Sequence, residues 1–192
     1  MRKTIHTGIV AVFFCLALCS CSTTYSKYAH DIFAGKPLLN EQEYTEAEKL
    51  FQDAVSNIRD QESLTFLAVT EYKMGNLENA EKLIQEAAQS KPSMLYNIRT
   101  FGYRAIIVMK RDKTEGLAAL KDYIDRYDHA YPLETIGDLR KIVASGNVDQ
   151  ARMEKIIEEQ IRWYESELEQ YLSTGTGFYD RGARDNGGDF PR

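Results

Sequence analysis

Three cysteines stand in a chain of 192 residues, and all three fall within its first 21 positions: Cys15, Cys19 and Cys21. A thiol acts as nucleophile or metal ligand only as the thiolate, and a domain stapled by disulfides spreads its cysteines along the chain. The crowding therefore excludes cysteine catalysis, thiolate metal sites and disulfides from the chain beyond Cys21. Histidine is as sparse. Beyond that point only His30 and His129 remain, far apart and without a partner pattern, and both read as surface residues. Carboxylates are plentiful. Glu158 with Glu159, Asp122 with Asp125, and the run Glu165, Glu167 and Glu169 could each supply a general acid and a general base. The same residues are what a solvated helix face ordinarily carries, and that is how they are read. "DNGGD" near the C-terminus has the start of a calcium loop but neither its full ligand ladder nor its terminal glutamate. A phosphate-cradling glycine loop, a Ser-His-Asp order and a zinc spacing are all missing. The expectation is a protein that is not an enzyme and uses no cofactor or metal.

The first residues have another use for a thiol. In "MRKTIHTGIVAVFFCLALCSC", Arg2 and Lys3 precede an apolar stretch, Gly8 to Cys19, too short to span a bilayer. That is the layout of a signal peptide. Its end, "LCSC", resembles a bacterial lipobox, with Leu18 three before the cut, Ser20 just before it and Cys21 as acceptor; Cys19 departs from the usual small or aliphatic residue. The resemblance implies a diacylglycerol on the Cys21 thiol and a further acyl chain on its amino group, several chains anchoring where one would not. Ser22 in place of Asp is similar to lipoproteins sent to the outer membrane, facing the periplasm. Removing Arg2 and Lys3 from the 24 basic residues leaves 22 against 29 acidic ones, a net charge of −7. With no basic cluster in evidence, nucleic acid is excluded as a partner.

The remainder is rich in helix formers, with only 4 prolines. Residues 21–39 mix Ser, Thr, Tyr, Gly and Pro without a sustained period and read as a lipidated tether, with Ile32, Phe33, Leu38 and Leu39 able to dock on the domain beyond it. Asn40 with Glu43 forms a candidate capping box. Tyr44, Ala47, Leu50, Phe51, Ala54, Val55 and Ile58 then recur at three and four, one face of a helix. A second helix runs from about Glu62 to Gly75, and a third carries Leu77, Ala80, Leu83, Ile84, Ala87 and Ala88 to Pro92. Further helices run through Ile98 to Ala105, through "TEGLAALKDYIDRY", and from Pro132 to Ser145.

One six-residue pattern occurs twice. "GNLENA" starts at Gly75 and "GNVDQA" at Gly146. Leu64, Leu67 and Ala68, then Gly75, then Leu77, Ala80, Ile84 and Ala87, then Pro92, fall at intervals that resemble a tetratricopeptide (TPR) repeat, a 34-residue pair of antiparallel helices. The family's helix-A tyrosine is displaced by one, Glu71 standing there and Tyr72 next. Glycine tolerates the left-handed turn, and alanines let helix axes approach. Gly146 and Ala151 repeat the roles of Gly75 and Ala80 two units later. The resemblance spans residues 40–172 and implies an all-α fold of stacked hairpins, a short TPR-like solenoid ending in a long helix. It also implies a concave groove lined from helix A: Thr65, Val69, Tyr72 and Lys73 from one unit, Tyr96, Arg99, Tyr103 and Ile106 from the next. Aromatic anchors beside cationic donors suit an extended peptide or a carboxylate-bearing ligand; the alternative is that some of these tyrosines pack between repeats.

The last helix, Val148 to about Leu172, places Ile157, Ile161, Tyr164, Leu168 and Tyr171 at alternating steps of four and three. That seam can cap the end of the stack or join a second copy as a homo-oligomer contact. Residues 173–192 hold 5 of the 12 glycines and read as a disordered tail. The expected function is a lipid-anchored, periplasm-facing adaptor that binds another cell-envelope protein or a peptide segment of one. The alternative is an accessory lipoprotein whose groove takes a small hydrophobic or acidic solute, for example beside a transporter.

Overall fold

The computed structural model describes residues 23–93, 96–127 and 136–174; the signal segment with Cys21, His129, and the tail from residue 175 lie outside them. Among the described residues the structure is all-α, eight helices and no strand. They are α1 (23–40), α2 (Tyr44–Asn57), α3 (Gln61–Lys73), α4 (Leu77–Gln89), α5 (Asn97–Arg111), α6 (Lys113–Tyr127), α7 (Ile136–Ser145) and α8 (Gln150–Thr174). Each of α2 to α6 packs on the next helix in the chain, α3 also meets α5, and α8 returns to lie on α5.

The first correction concerns the segment read as a tether. Residues 23–40 are helical, and Tyr28, Ile32 and Leu39 belong to the core, although Phe33 points to solvent. Pro37 is tolerated near the end of this helix, where its carbonyl still accepts from the Glu41 N–H at 2.9 Å. Gly35 is needed for space: a Cβ there would meet the Phe51 ring at 2.6 Å, so α1 and α2 touch closely at this point. The expected Asn40–Glu43 capping box is absent, Glu43 standing at the N-cap of α2 without a side-chain cap. The box that forms is one helix later. Ser63 N–H donates to Asp60 Oδ1 at 3.0 Å, and Asp60 N–H to Ser63 Oγ at 3.3 Å.

The central helix is α3. Its residues from Ser63 to Tyr72 are all buried, because α2, α4 and α5 surround it, and a helix buried on every side loses its amphipathic stripe. Phe66 stacks on Phe51 at 5.2 Å and meets Tyr96 edge-on at 5.0 Å, joining α2, α3 and the start of α5 through one aromatic ladder. The turn into α4 agrees with the expectation. Gly75 has φ of 88°, with Asn76 N–H donating to the Glu71 carbonyl and Gly75 N–H to that of Tyr72, a Schellman ending. Ala80 and Ala87 are fully buried at the crossing. Gly146 repeats the left-handed turn, φ 64°. The second alanine does not repeat the first. Helix α8 begins four residues after Gly146, whereas α4 begins two after Gly75, and the added half-turn leaves Ala151 exposed while Met153 takes the buried place.

Candidate functional site

Five of the eight residues expected to line an open groove, Tyr72, Lys73, Tyr96, Arg99 and Tyr103, share one face, but that face is covered. Thr65, Val69 and Ile106 are core residues; Thr65 Oγ1 lies 2.7 Å from Thr100 Oγ1, bonding α3 to α5 at the helix interface. Tyr72, Tyr96 and Tyr103 are buried too. Only Lys73 and Arg99 keep partial access. The cover is α8, which the sequence placed at the end of the stack and which instead runs back across it. A glycine makes the approach possible: a Cβ on Gly102 would meet Ile157 at 2.7 Å and Ile161 at 2.9 Å. The apolar seam is used here, since Met153, Ile156, Ile157, Ile161 and Leu168 turn inward and Tyr171 remains exposed. A homo-oligomer contact through Ile157 and Ile161 is therefore not available to the chain in this conformation. Tyr123 OH donates to Gln160 Oε1 at 2.9 Å, fixing the middle of α8 against α6.

Beside the seam lies a row of acids. Glu154, Glu158, Glu165 and Glu169 stand at steps of four, seven and four, which keeps them within a strip of roughly 60° of helix surface. Each meets a donor from the opposite face. Tyr72 OH donates to Glu154 Oε2 at 2.7 Å. Lys73 Nζ donates to Glu154 at 3.0 Å and to Glu158 at 2.6 Å, and Tyr103 OH to Glu158 Oε1 at 2.8 Å. Arg99 grips Glu165 with both arms, Nε to Oε1 at 2.8 Å and Nη2 to Oε2 at 2.6 Å. Lys36, from the segment read as tether, donates to Glu169 at 2.8 Å and to Tyr96 OH at 2.6 Å.

The cations also stand over rings. Arg99 lies 5.0 Å from the centre of Phe66, Lys36 lies 4.8 Å from that of Tyr96, and Lys73 is 5.5 Å from Tyr72 and 5.9 Å from Tyr103. Burial opposes the charge on Lys36 and Lys73, but the glutamates bonded to each outweigh it and hold both ammonium groups above the ordinary lysine range. Burial and the facing carboxylates push the Tyr72 and Tyr103 hydroxyls upward, so both remain protonated donors. At one end Tyr28 OH donates to Asp60 Oδ2 at 2.9 Å and to Glu62 Oε2 at 3.3 Å. Burial, with the nearby Asp60 charge, raises the Glu62 carboxyl to about 7.

Three other carboxylates singled out in the sequence pair with bases. Asp122 meets Arg104 and Arg126, Asp125 meets Lys121, and Glu159 meets Lys155. His30 lies beside Asp31 on the surface. Among the described residues no group of three or more His, Cys, Asp or Glu is placed to hold a metal, and no helix is long and apolar enough to cross a membrane. A cleft of about 950 Å³ lies elsewhere, around the α3–α4 turn. It is open and charged, lined by Glu48, Glu71, Glu78, Lys82 and Arg111 among others, with Glu71 held by Asn76 and Asn79.

Sequence reasoning singled out Tyr72, Lys73, Tyr96, Arg99 and Tyr103 but not Lys36, Phe66 or Glu154, and it read Glu158, Glu165 and Glu169 as a solvated helix face, whereas they answer these donors and Glu165 is buried. The row's 4-7-4 spacing was the available signal. No family model matches this sequence, and neither a curated protein nor a solved structure shows a significant match to it.

Proposed function

We propose that the chain is a lipid-anchored adaptor of the bacterial cell envelope, built on a short TPR-like array, whose α3–α5 face recognises an acidic helix of another envelope protein. The anchor reading rests on "LCSC" at Leu18 to Cys21, with Ser22 favouring the outer membrane, periplasmic side. The array reading is supported by the Gly75 turn and the buried Ala80 and Ala87. The observation that carries the function is the aromatic and cationic row engaged by four glutamates of one helix, because such a surface discriminates by paired charge and by fork geometry. A solute carrier would call for an enclosed apolar cavity, and the open, charged cleft at the α3–α4 turn does not suit one.

The test is site-specific photo-crosslinking in intact cells. A photoreactive residue at position 169, on α8 where that helix meets Lys36 at the edge of the receiving face, is compared with one at position 82, on the charged cleft. Capture of one envelope protein from position 169 and not from 82 is the expected result. Capture from neither position, in cells where the protein is membrane-bound, would sink the adaptor reading.

A further inference from the structure

The two halves of α8 are held very differently. From Met153 to Ile161 the helix buries Met153, Ile156, Ile157, Gln160 and Ile161 over Gly102 and α5. From residue 162 to residue 174 only Glu165 and Leu168 are buried, while Trp163 is 56% exposed and Leu172 57%. The second half thus has a single buried leucine. Beside it stand the Arg99–Glu165 fork, the Lys36–Glu169 pair and the edge of Tyr164 against Tyr127 at 6.5 Å. A stretch with few apolar contacts opens at lower free energy than a core helix. Beneath it are two cations lying over Phe66 and Tyr96, and their burial is tolerable only with carboxylates opposite.

We propose that residues 162–174 are a built-in stand-in for the partner. Glu165 and Glu169 fill the two carboxylate positions of a cleft made by Lys36, Phe66, Tyr96 and Arg99. The cleft's other occupant is an acidic helix of a second protein, carrying carboxylates four residues apart with an apolar residue between them, as Leu168 lies between Glu165 and Glu169 here. The inference rests on the adaptor reading and names the port and its ligand chemistry. Because the stand-in is tethered, a free ligand competes against an effective concentration on the order of millimolar. Its apparent affinity falls by the fraction of molecules that are open.

The experiment uses the full chain and a fluorescent peptide of residues 160–174, QIRWYESELEQYLST. In the chain, Glu165→Gln/Glu169→Gln weakens the latch and leaves the cleft intact. Anisotropy titration is expected to show this variant binding the peptide at least tenfold more tightly than the wild type. A peptide with Glu165 and Glu169, of its three glutamates, changed to glutamine should lose that gain, and so should the latch variant with Lys36→Gln added. Arg99→Gln is a further variant, used only if its circular dichroism melt remains cooperative. Equal binding by wild type and latch variant, or equal binding of the acidic and amidated peptides, overturns the proposal. Peptide exchange with no captured protein leaves the latch standing and removes the adaptor; a captured protein without peptide exchange does the reverse.

Discussion

Arg99 on α5 and Glu165 on α8 form a two-armed ion pair 66 positions apart, with side chains only 13% and 9% exposed. Breaking one side leaves the other charged and nearly dry. Glu165→Leu or Arg99→Leu alone should each cost about 2–4 kcal/mol, while the double Leu variant should cost less than the two singles together. Urea unfolding of the four proteins measures the coupling. Strict additivity would mean that the pair holds nothing.

Glu62 gives the structure a pH dependence of unusual sign. Its carboxyl is raised from 4.5 to about 7 by burial and by Asp60, against the opposing pull of Lys36 and the Tyr28 hydroxyl; Glu165 adds to the rise. The folded chain thus holds a proton that the unfolded chain releases, and stability falls as pH rises through the window from 4.5 to 7. Discounted for partial solvent access, the loss is about 1–2 kcal/mol. Glu62→Gln should flatten this part of the profile, being more stable than wild type at pH 8 and losing the advantage near pH 5. Parallel curves for the two proteins would count against it.

The two glycine turns should answer alike, and the two alanines should not. Gly75→Val and Gly146→Val each force a branched side chain into a left-handed backbone and should cost on the order of 1 kcal/mol or more. Ala80→Leu should cost about 1–3 kcal/mol by prising apart a packed crossing. Ala151→Leu, on an exposed surface, should change stability by no more than about 0.5 kcal/mol. Thermal melts of the four variants decide the matter.

For the anchor, mass spectrometry of the N-terminus from membranes should find acylated Cys21. Cys21→Ser should leave the protein unlipidated, with its signal segment retained. An unmodified start elsewhere would mean that the chain is not anchored through this thiol.

Local chemistry was legible and coverage was not. Gly75 marks its turn because only a residue without Cβ takes that φ cheaply, and Leu64, Leu67, Ala80 and Ile84 mark inward faces by their period. The helix from residue 23 to residue 40 was hidden because Gly35 and Pro37 look like breakers. Yet Tyr28, Ile32, Gly35 and Leu39 keep helical spacing, and Gly35 is small only because Phe51 lies against it. The groove residues came from the resemblance to a TPR repeat, which marks positions along helix A but not what lies on them. That information resides in a match between distant parts, the acids of α8 against Lys36, Lys73 and Arg99, and no local window contains both sides.

The Lys36–Glu169 bond ties the first described helix to the last across 133 positions. An open array of helical hairpins is additive, and lineages lengthen or shorten it by duplicating a unit. In this chain α8 is matched to the side chains it covers on α1, α3 and α5, so inserting a helical hairpin of about 34 residues between them would carry α8 away from that face. Substitution along the clasp, one compensated pair at a time, keeps that match, whereas gain or loss of a hairpin breaks it.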